Sequence, residues 1–166
     1  MEIKTTSPAQ TLKEAAKIAA TLNPGDIIAL YGELGAGKTV FVKGLVMGLG
    51  IKARVSSPTF VFLKIYKGKK FTVNHIDLYR GESITNFKDL GLEEIFMDNN
   101  ITIIEWAQKL KGKLPKKRID VTFEKLDEKT RKITISRPSF PRPHHLSFPR
   151  KRESIQNKMD SRSGRE

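Results

Sequence analysis

Across the first 136 residues, apolar positions fall into short runs whose spacing alternates between that of strands and that of helices. Residues 2–5 read as a short strand. Ser7 can then cap a helix, with Pro8 at its first position and Gln10 three residues on, and Leu12, Ala15, Ala16, Ala19 and Leu22 recur at helical spacing. Asn23-Pro24-Gly25 ends that helix, and the continuous apolar run at 26–31 is the pattern of a buried strand. A second helix is predicted from Lys38 to about Leu49, stopped by Gly50. Residues 59–66 and 71–77 read as a hairpin about the turn 67–70, residues 89–96 as a short helix, 101–105 as a buried strand, and 118–126 with 132–136 as a second pair about a charged turn. Strand–helix–strand units mixed with hairpins predict an α/β fold: a three-layer domain with a mixed, partly parallel β-sheet.

The pattern lapses after Ser136. Residues 137–166 carry eight basic and three acidic residues, half of the eight prolines, and large apolar residues at no regular period. Such a segment buries too little to offset its ordering entropy, so the chain divides into a domain at 1–136 and a basic, Pro-rich, disordered extension at 137–166. The stretch from Ser147 onward also resembles the translated repeat sequences sometimes appended to bacterial reading frames.

Composition narrows the setting. There is no cysteine, which excludes a disulfide scaffold and thiolate metal sites and allows a reducing cytoplasm. No apolar run approaches the roughly 20 residues needed to span a bilayer, and the N-terminus lacks the basic-then-apolar signal pattern, so a cytoplasmic chain that does not engage membrane is expected. The formal net charge of +13 makes polyanions plausible partners: nucleotide, nucleic acid or an acidic protein face.

The sharpest chemical signal is the run Gly32-Glu33-Leu34-Gly35-Ala36-Gly37-Lys38-Thr39, a full phosphate-binding-loop pattern between a predicted strand and a predicted helix. Glycines let backbone N–H groups turn inward around an anion, the helix that follows points its positive end at the phosphates, and Lys38 supplies an ammonium for β and γ oxygens. Residues Glu33 to Val40 are the expected nucleotide contacts, with the Thr39 hydroxyl placed for Mg²⁺. Two acids end apolar strands. Glu105 follows 101–104 at the position where nucleotidases with such a loop hold an acid beside the metal or the attacking water, and Asp77 follows 71–76, so both converge at the carboxyl edge of one sheet. Lys38, Asp77 and Glu105 are therefore the expected catalytic set, with Thr39 and Glu105 at the metal. Ser57, Pro58 and Thr59 lie in the loop after the phosphate-loop helix, where switch segments sense Mg²⁺ and γ-phosphate. His75 reads either as a ligand or proton shuttle or as a packed core residue. Trp106, the single tryptophan, reads either as a clamp on a partner or as a packing residue.

Taken in order and spacing, the phosphate loop, Ser56-Ser57-Pro58-Thr59-Phe60, His75-Ile76-Asp77-Leu78-Tyr79-Arg80 and the Glu105-Trp106 pair resemble the TsaE (YjeE) family over about residues 1–136. The resemblance implies a domain of the P-loop NTPase type with ATP and Mg²⁺ as ligands. It implies a switch role for 57–59 and importance for Asp77 and Trp106 in hydrolysis or partner coupling. It also implies the family's task in bacterial tRNA threonylcarbamoyladenosine synthesis: ATP hydrolysis that resets the TsaD transferase and its companion TsaB between turnovers, with tRNA met only indirectly or weakly.

Three rival readings have less support. Residues 157–160 spell the guanine-reading pattern of GTPases, but no strand signal precedes them and no Asp-x-x-Gly occurs at Asp77. A small-molecule kinase usually adds an arginine-bearing lid, for which the basic 109–118 region is a poor candidate. A charge-driven nucleic-acid binder could use Lys64, Lys67, Lys69, Lys70 and the 109–118 cluster, but these lack interleaved aromatics for base stacking.

Overall fold

The computed structural model describes residues 1–80, 91–110 and 112–137. The extension beyond Arg137, with the 157–160 pattern, lies outside the described residues, as does the start of the helix expected at 89–96. The strands are β1 (Glu2–Thr5), β2 (Ile27–Tyr31), β3 (Leu63–Lys67), β4 (Thr72–Asp77), β5 (Ile101–Glu105), β6 (Ile119–Lys125) and β7 (Arg131–Ser136). The helices are α1 (Pro8–Ala19), α2 (Lys38–Gly48) and α3 (Leu92–Met97), and a 3₁₀ turn follows β5 at Ala107–Leu110. Among the described residues no helix is long and apolar enough to cross a membrane.

All seven strands join one sheet in the order β1-β7-β6-β2-β5-β4-β3. The central four, β6, β2, β5 and β4, run parallel, while β1, β7 and β3 pair antiparallel at the two sides. The fold is thus α/β with a mixed sheet, as the alternating pattern predicts.

Side-chain alternation along the strands assigns each residue to a face. Ile28 and Leu30 of β2, Val73 of β4, and Ile101 and Ile103 of β5 join a core with Ala15 and Ala19 of α1 and Phe41, Val42 and Leu45 of α2. Ile27, Ala29, Ile76 and Ile104 point the other way, toward Leu92 of α3 and Ala107 and Leu110 of the 3₁₀ turn. Helix α1 begins as its sequence predicts: the Ser7 side chain accepts from Gln10 N at 3.2 Å, and Gln10 Oε1 accepts from Thr6 N at 2.7 Å.

One element starts later than its apolar pattern suggests. Residues 59–62 form a turn, with Val61 N and Phe62 N both donating to Pro58 O at 2.8 and 2.7 Å and Phe62 at φ 61°. The strand begins only at Leu63.

Candidate active site

The parity that builds the core also builds the site. On β4 the odd positions 73, 75 and 77, and on β5 the positions 101, 103 and 105, share the sheet face covered by α2. The register sets Asp77 directly opposite Glu105. Both acids end their strands, and both are buried, at 2% relative exposure each. Helix α2 opens at the same edge, because its chain leaves β2 at Tyr31 and turns through the glycine loop.

That loop depends on backbone freedom at Gly37, the residue that caps α2 at φ 99°. The left-handed conformation is accessible to glycine at no steric cost. The opening amides of α2 have no partner inside the helix and sit at its positive end. Residues 34–40 line a cleft of about 450 Å³ with Ser57, Thr59, Asp77, Glu105 and Trp106. Glu33 lies outside that lining; its carbonyl instead accepts from Lys38 Nζ at 2.8 Å, beside the Gly32 carbonyl at 2.7 Å. The ammonium also stands 3.9 Å from the centre of the Trp106 ring. Burial pushes the Lys38 ammonium below its usual value, with Glu105 and Asp77 pulling in the opposite direction.

Thr39 Oγ1 lies 3.0 Å from both Glu105 Oε1 and Glu105 Oε2. His75 Nε2 donates to Glu105 Oε1 at 2.9 Å, and His75 Nδ1 is buried without a partner among the described residues. The hydrogen bond requires the proton on Nε2 while the carboxylate accepts. His75 is therefore a packed residue, as one of its two sequence readings has it, but one packed against an acid of the cleft.

Asp77 is held by the 56–59 segment. Ser57 Oγ donates to Asp77 Oδ2, Thr59 Oγ1 donates to the same oxygen at 2.8 Å, and Tyr79 N donates to Oδ1 at 2.9 Å. Pro58 is buried behind them and does not line the cleft. These contacts explain the late start of β3, since turning 59–62 is what brings two hydroxyls onto one carboxylate.

Trp106 adopts φ 61° immediately after Glu105, which swings its ring from the strand line into the cleft wall. Tyr79 lies against it with ring centres 5.0 Å apart. Tyr79, Arg80 and Phe60 also line the cleft, and the Arg80 guanidinium covers the Phe60 ring at 4.4 Å. Strand-end reasoning passes over these three, whose only signal is their place inside the two short motifs at 56–60 and 75–80. Among the described residues, the basic 109–118 region lines no part of the cleft.

The donor set has the chemistry of a hard divalent cation that shares its ligands with phosphate. Thr39 and Glu105 offer adjacent oxygens, and among the described residues no group of three or more His, Cys, Asp or Glu side chains can hold a metal by itself. Mg²⁺ binds in this way, through one or two protein oxygens with substrate phosphates and water completing the shell.

The family model described as threonylcarbamoyl adenosine biosynthesis protein TsaE matches residues 5–133. The tRNA threonylcarbamoyladenosine biosynthesis protein TsaE of Bacillus subtilis (strain 168) is 38% identical over 133 residues, covering 80% of this chain and 83% of that protein. Its namesake in Rickettsia bellii (strain RML369-C) is 40% identical over 131 residues, covering 78% and 90%. The crystal structure of Bacillus subtilis YdiB superposes with a TM-score of 0.71 at 33% identity, over 82% of this chain and 84% of that one. With the phosphate loop, the two strand-end acids and the 56–59 segment all inside the matched span, the chain belongs to the TsaE family.

Proposed function

We propose that this protein hydrolyses ATP in the cytoplasm with Mg²⁺ and serves tRNA threonylcarbamoyladenosine synthesis, its hydrolysis resetting a TsaB–TsaD transferase between turnovers. The observation that carries the reading is the bond from Thr39, in the first turn after the phosphate loop, to both oxygens of Glu105. A hydroxyl and a carboxylate side by side at the start of α2 support a metal beside the β- and γ-phosphates.

In this reading the amides of 35–40 cradle the phosphates and Lys38 leaves the carbonyls of Gly32 and Glu33 to meet the β and γ oxygens. Thr39 and Glu105 would hold Mg²⁺, which would supply positive charge to the phosphoryl oxygens. Asp77 and Glu105 orient the water for in-line attack, so catalysis is positioning and electrostatic stabilisation. The Ser57 and Thr59 hydroxyls, bound to Asp77, couple the 56–59 segment to the state of the cleft.

The test is phosphate release from ATP with and without purified TsaB and TsaD. Slow turnover by the isolated chain and stimulation by the pair are expected. Lys38→Ala and Glu105→Gln should each cut turnover by about 100-fold or more. Full turnover in Lys38→Ala, or indifference to the partners, rejects the reading. Binding has its own optical signal, because the single tryptophan sits 3.9 Å from the Lys38 ammonium. ATP should change Trp106 emission saturably, and more tightly than GTP does; Lys38→Ala should weaken that response by at least about 10-fold.

A further inference from the structure

Residues 34–76 contain eight Lys and Arg side chains and no Asp or Glu. Lys38 belongs to the cleft, and Lys64 donates to Ser56 Oγ at 2.6 Å. The other six, Lys43, Lys52, Arg54, Lys67, Lys69 and Lys70, are exposed, and none takes part in an ion pair among the described residues.

The fold gathers five of them at one edge, with Lys43 alongside on α2. Helix α2 runs back from the cleft, so Lys52 and Arg54, just past its end, lie at the amino edge of the parallel strands. Lys67 pairs with Thr72, the first residue of β4, which places the 67–70 turn at the same edge. The two loops touch: a Cβ on Gly68 would stand 2.7 Å from Ile51 Cγ1. Lys43, Lys52 and Arg54 line a groove of about 650 Å³ floored by Leu12, Met47 and Ile51. Asp77 is at the far end of β4, five residues along, so this basic edge is roughly 17 Å from the cleft acids.

We propose that this amino-edge surface docks the phosphate backbone of RNA. Five of the six cations are lysines, a residue depleted from protein–protein interfaces, and no acid falls within residues 34–76; Asp26 and Asp98, at the same edge before β2 and β5, accept from Asn23 N and from Asn99 N and Asn100 Nδ2. Lysine and arginine without aromatics are instead the complement of phosphates. Residues 43–54 and 67–70 contain no aromatic residue, and the Phe71 ring beside Lys70, at 5.1 Å, packs against the core, so the contact positions the RNA without reading its bases. The inference stands on charge and placement and does not depend on ATP hydrolysis.

Anisotropy of an end-labelled tRNA transcript titrated with the full chain between 50 and 200 mM KCl tests it. Six phosphate contacts give a log–log salt slope of about −5, and each cation removed lessens it by about 0.9. In the quadruple variant Lys52→Gln, Arg54→Gln, Lys69→Gln, Lys70→Gln the slope should lessen by about 3 to 4, with binding at 100 mM KCl weaker by at least about 10-fold. The basic residues after Ser136 remain in both proteins, so the difference between them isolates this surface. An unchanged Trp106 response to ATP shows that the variant is folded. Should it fail to fold, Lys67→Gln, Lys69→Gln, Lys70→Gln, confined to an exposed turn, should lessen the slope by about 3. Equal slopes in parent and variant, absence of RNA binding by the parent at 50 mM KCl, or displacement of the RNA by poly-glutamate at equal charge concentration would each overturn the proposal, the last by assigning the edge to an acidic protein.

Discussion

At the scale of single residues, the cleft holds its groups in positions costly to the free fold. Lys38 is buried, and that burial lowers its affinity for a proton below the ordinary 10.5. The unfolded chain therefore binds the proton more tightly than the folded one, and stability attributable to this group rises with pH as it deprotonates on approach to 10.5. Urea unfolding of the parent and of Lys38→Met between pH 8 and 10.5 checks this. The parent should gain on the variant as pH rises; near pH 8 the variant also lacks the bonds from Lys38 Nζ to the Gly32 and Glu33 carbonyls, so the change of the difference with pH, not its sign at one pH, is the test. His75 makes a second case. Its hydrogen bond orients a carboxylate that also accepts from Thr39. In the proposed reading Glu105 is a metal ligand, and loss of the orienting partner behind such a ligand typically costs 10–100-fold. His75→Leu should lower kcat for ATP by about that factor with KM little changed, and His75→Gln, whose amide keeps a donor at similar reach, should recover part of it. Equal defects in both variants would make His75 a packing residue only.

At the scale of elements, most of the architecture was legible because the signals were redundant. The strand at Ile27–Tyr31, the glycine loop and α2 support one another: apolar run, turn chemistry and amphipathic helix occur in the order a phosphate cradle requires. The acids were legible for the same reason, since a polar residue closing an apolar strand marks a sheet edge. The residues at 59–62 were misleading. Their apolar letters read as strand, but the hydroxyls of Ser57 and Thr59 bind Asp77 and the chain must turn to bring them there, a tertiary demand that overrides local propensity. Strand order is equally silent in a single sequence, and with it the tie from His75 to Glu105, which depends on β4 lying beside β5. Helix packing is silent in the sequence as well. Gly44 and Gly48 of α2 face α1 so closely that a Cβ on Gly44 would stand 2.4 Å from Leu12 O, and one on Gly48 2.5 Å from Ala16 O. Alanine at either site gains about 1 kcal/mol of helix propensity but must push a backbone carbonyl aside, at a cost of about 1–3 kcal/mol in overpacking. Contact at that distance cannot be relieved by a side-chain rotation. Gly44→Ala and Gly48→Ala should each lower Tm by several degrees, and the double variant by more than either; thermal melts that rise would show that the helices separate freely.

At the scale of the whole molecule, the sheet is polarised. Its carboxyl edge carries the glycine loop, Asp77 and Glu105, and its amino edge the acid-free basic loops. Like charges with no partner repel one another in the compact state, and the chain as a whole stands at +13. Salt shortens the reach of that repulsion to about 8 Å at 0.15 M, comparable to the spacing of side chains on touching loops. With no RNA or nucleotide present, Tm should therefore rise by a few degrees between 20 and 300 mM NaCl. Replacement of Lys52, Arg54, Lys69 and Lys70 by Gln should raise Tm at 20 mM and flatten the salt response, because the repelling groups are gone while the core, which contains none of them, is untouched. A parent whose Tm falls with salt would mean that attractive pairs, such as Lys132 with Glu124 at 3.3 Å, outweigh the unpaired edge. That outcome is disfavoured by magnitude: exposed pairs contribute about 0–1 kcal/mol each, while six neighbouring cations without an ion pair among the described residues repel in many combinations. A surface that destabilises its own fold and is relieved by counterions has the electrostatics of a site completed by a polyanion.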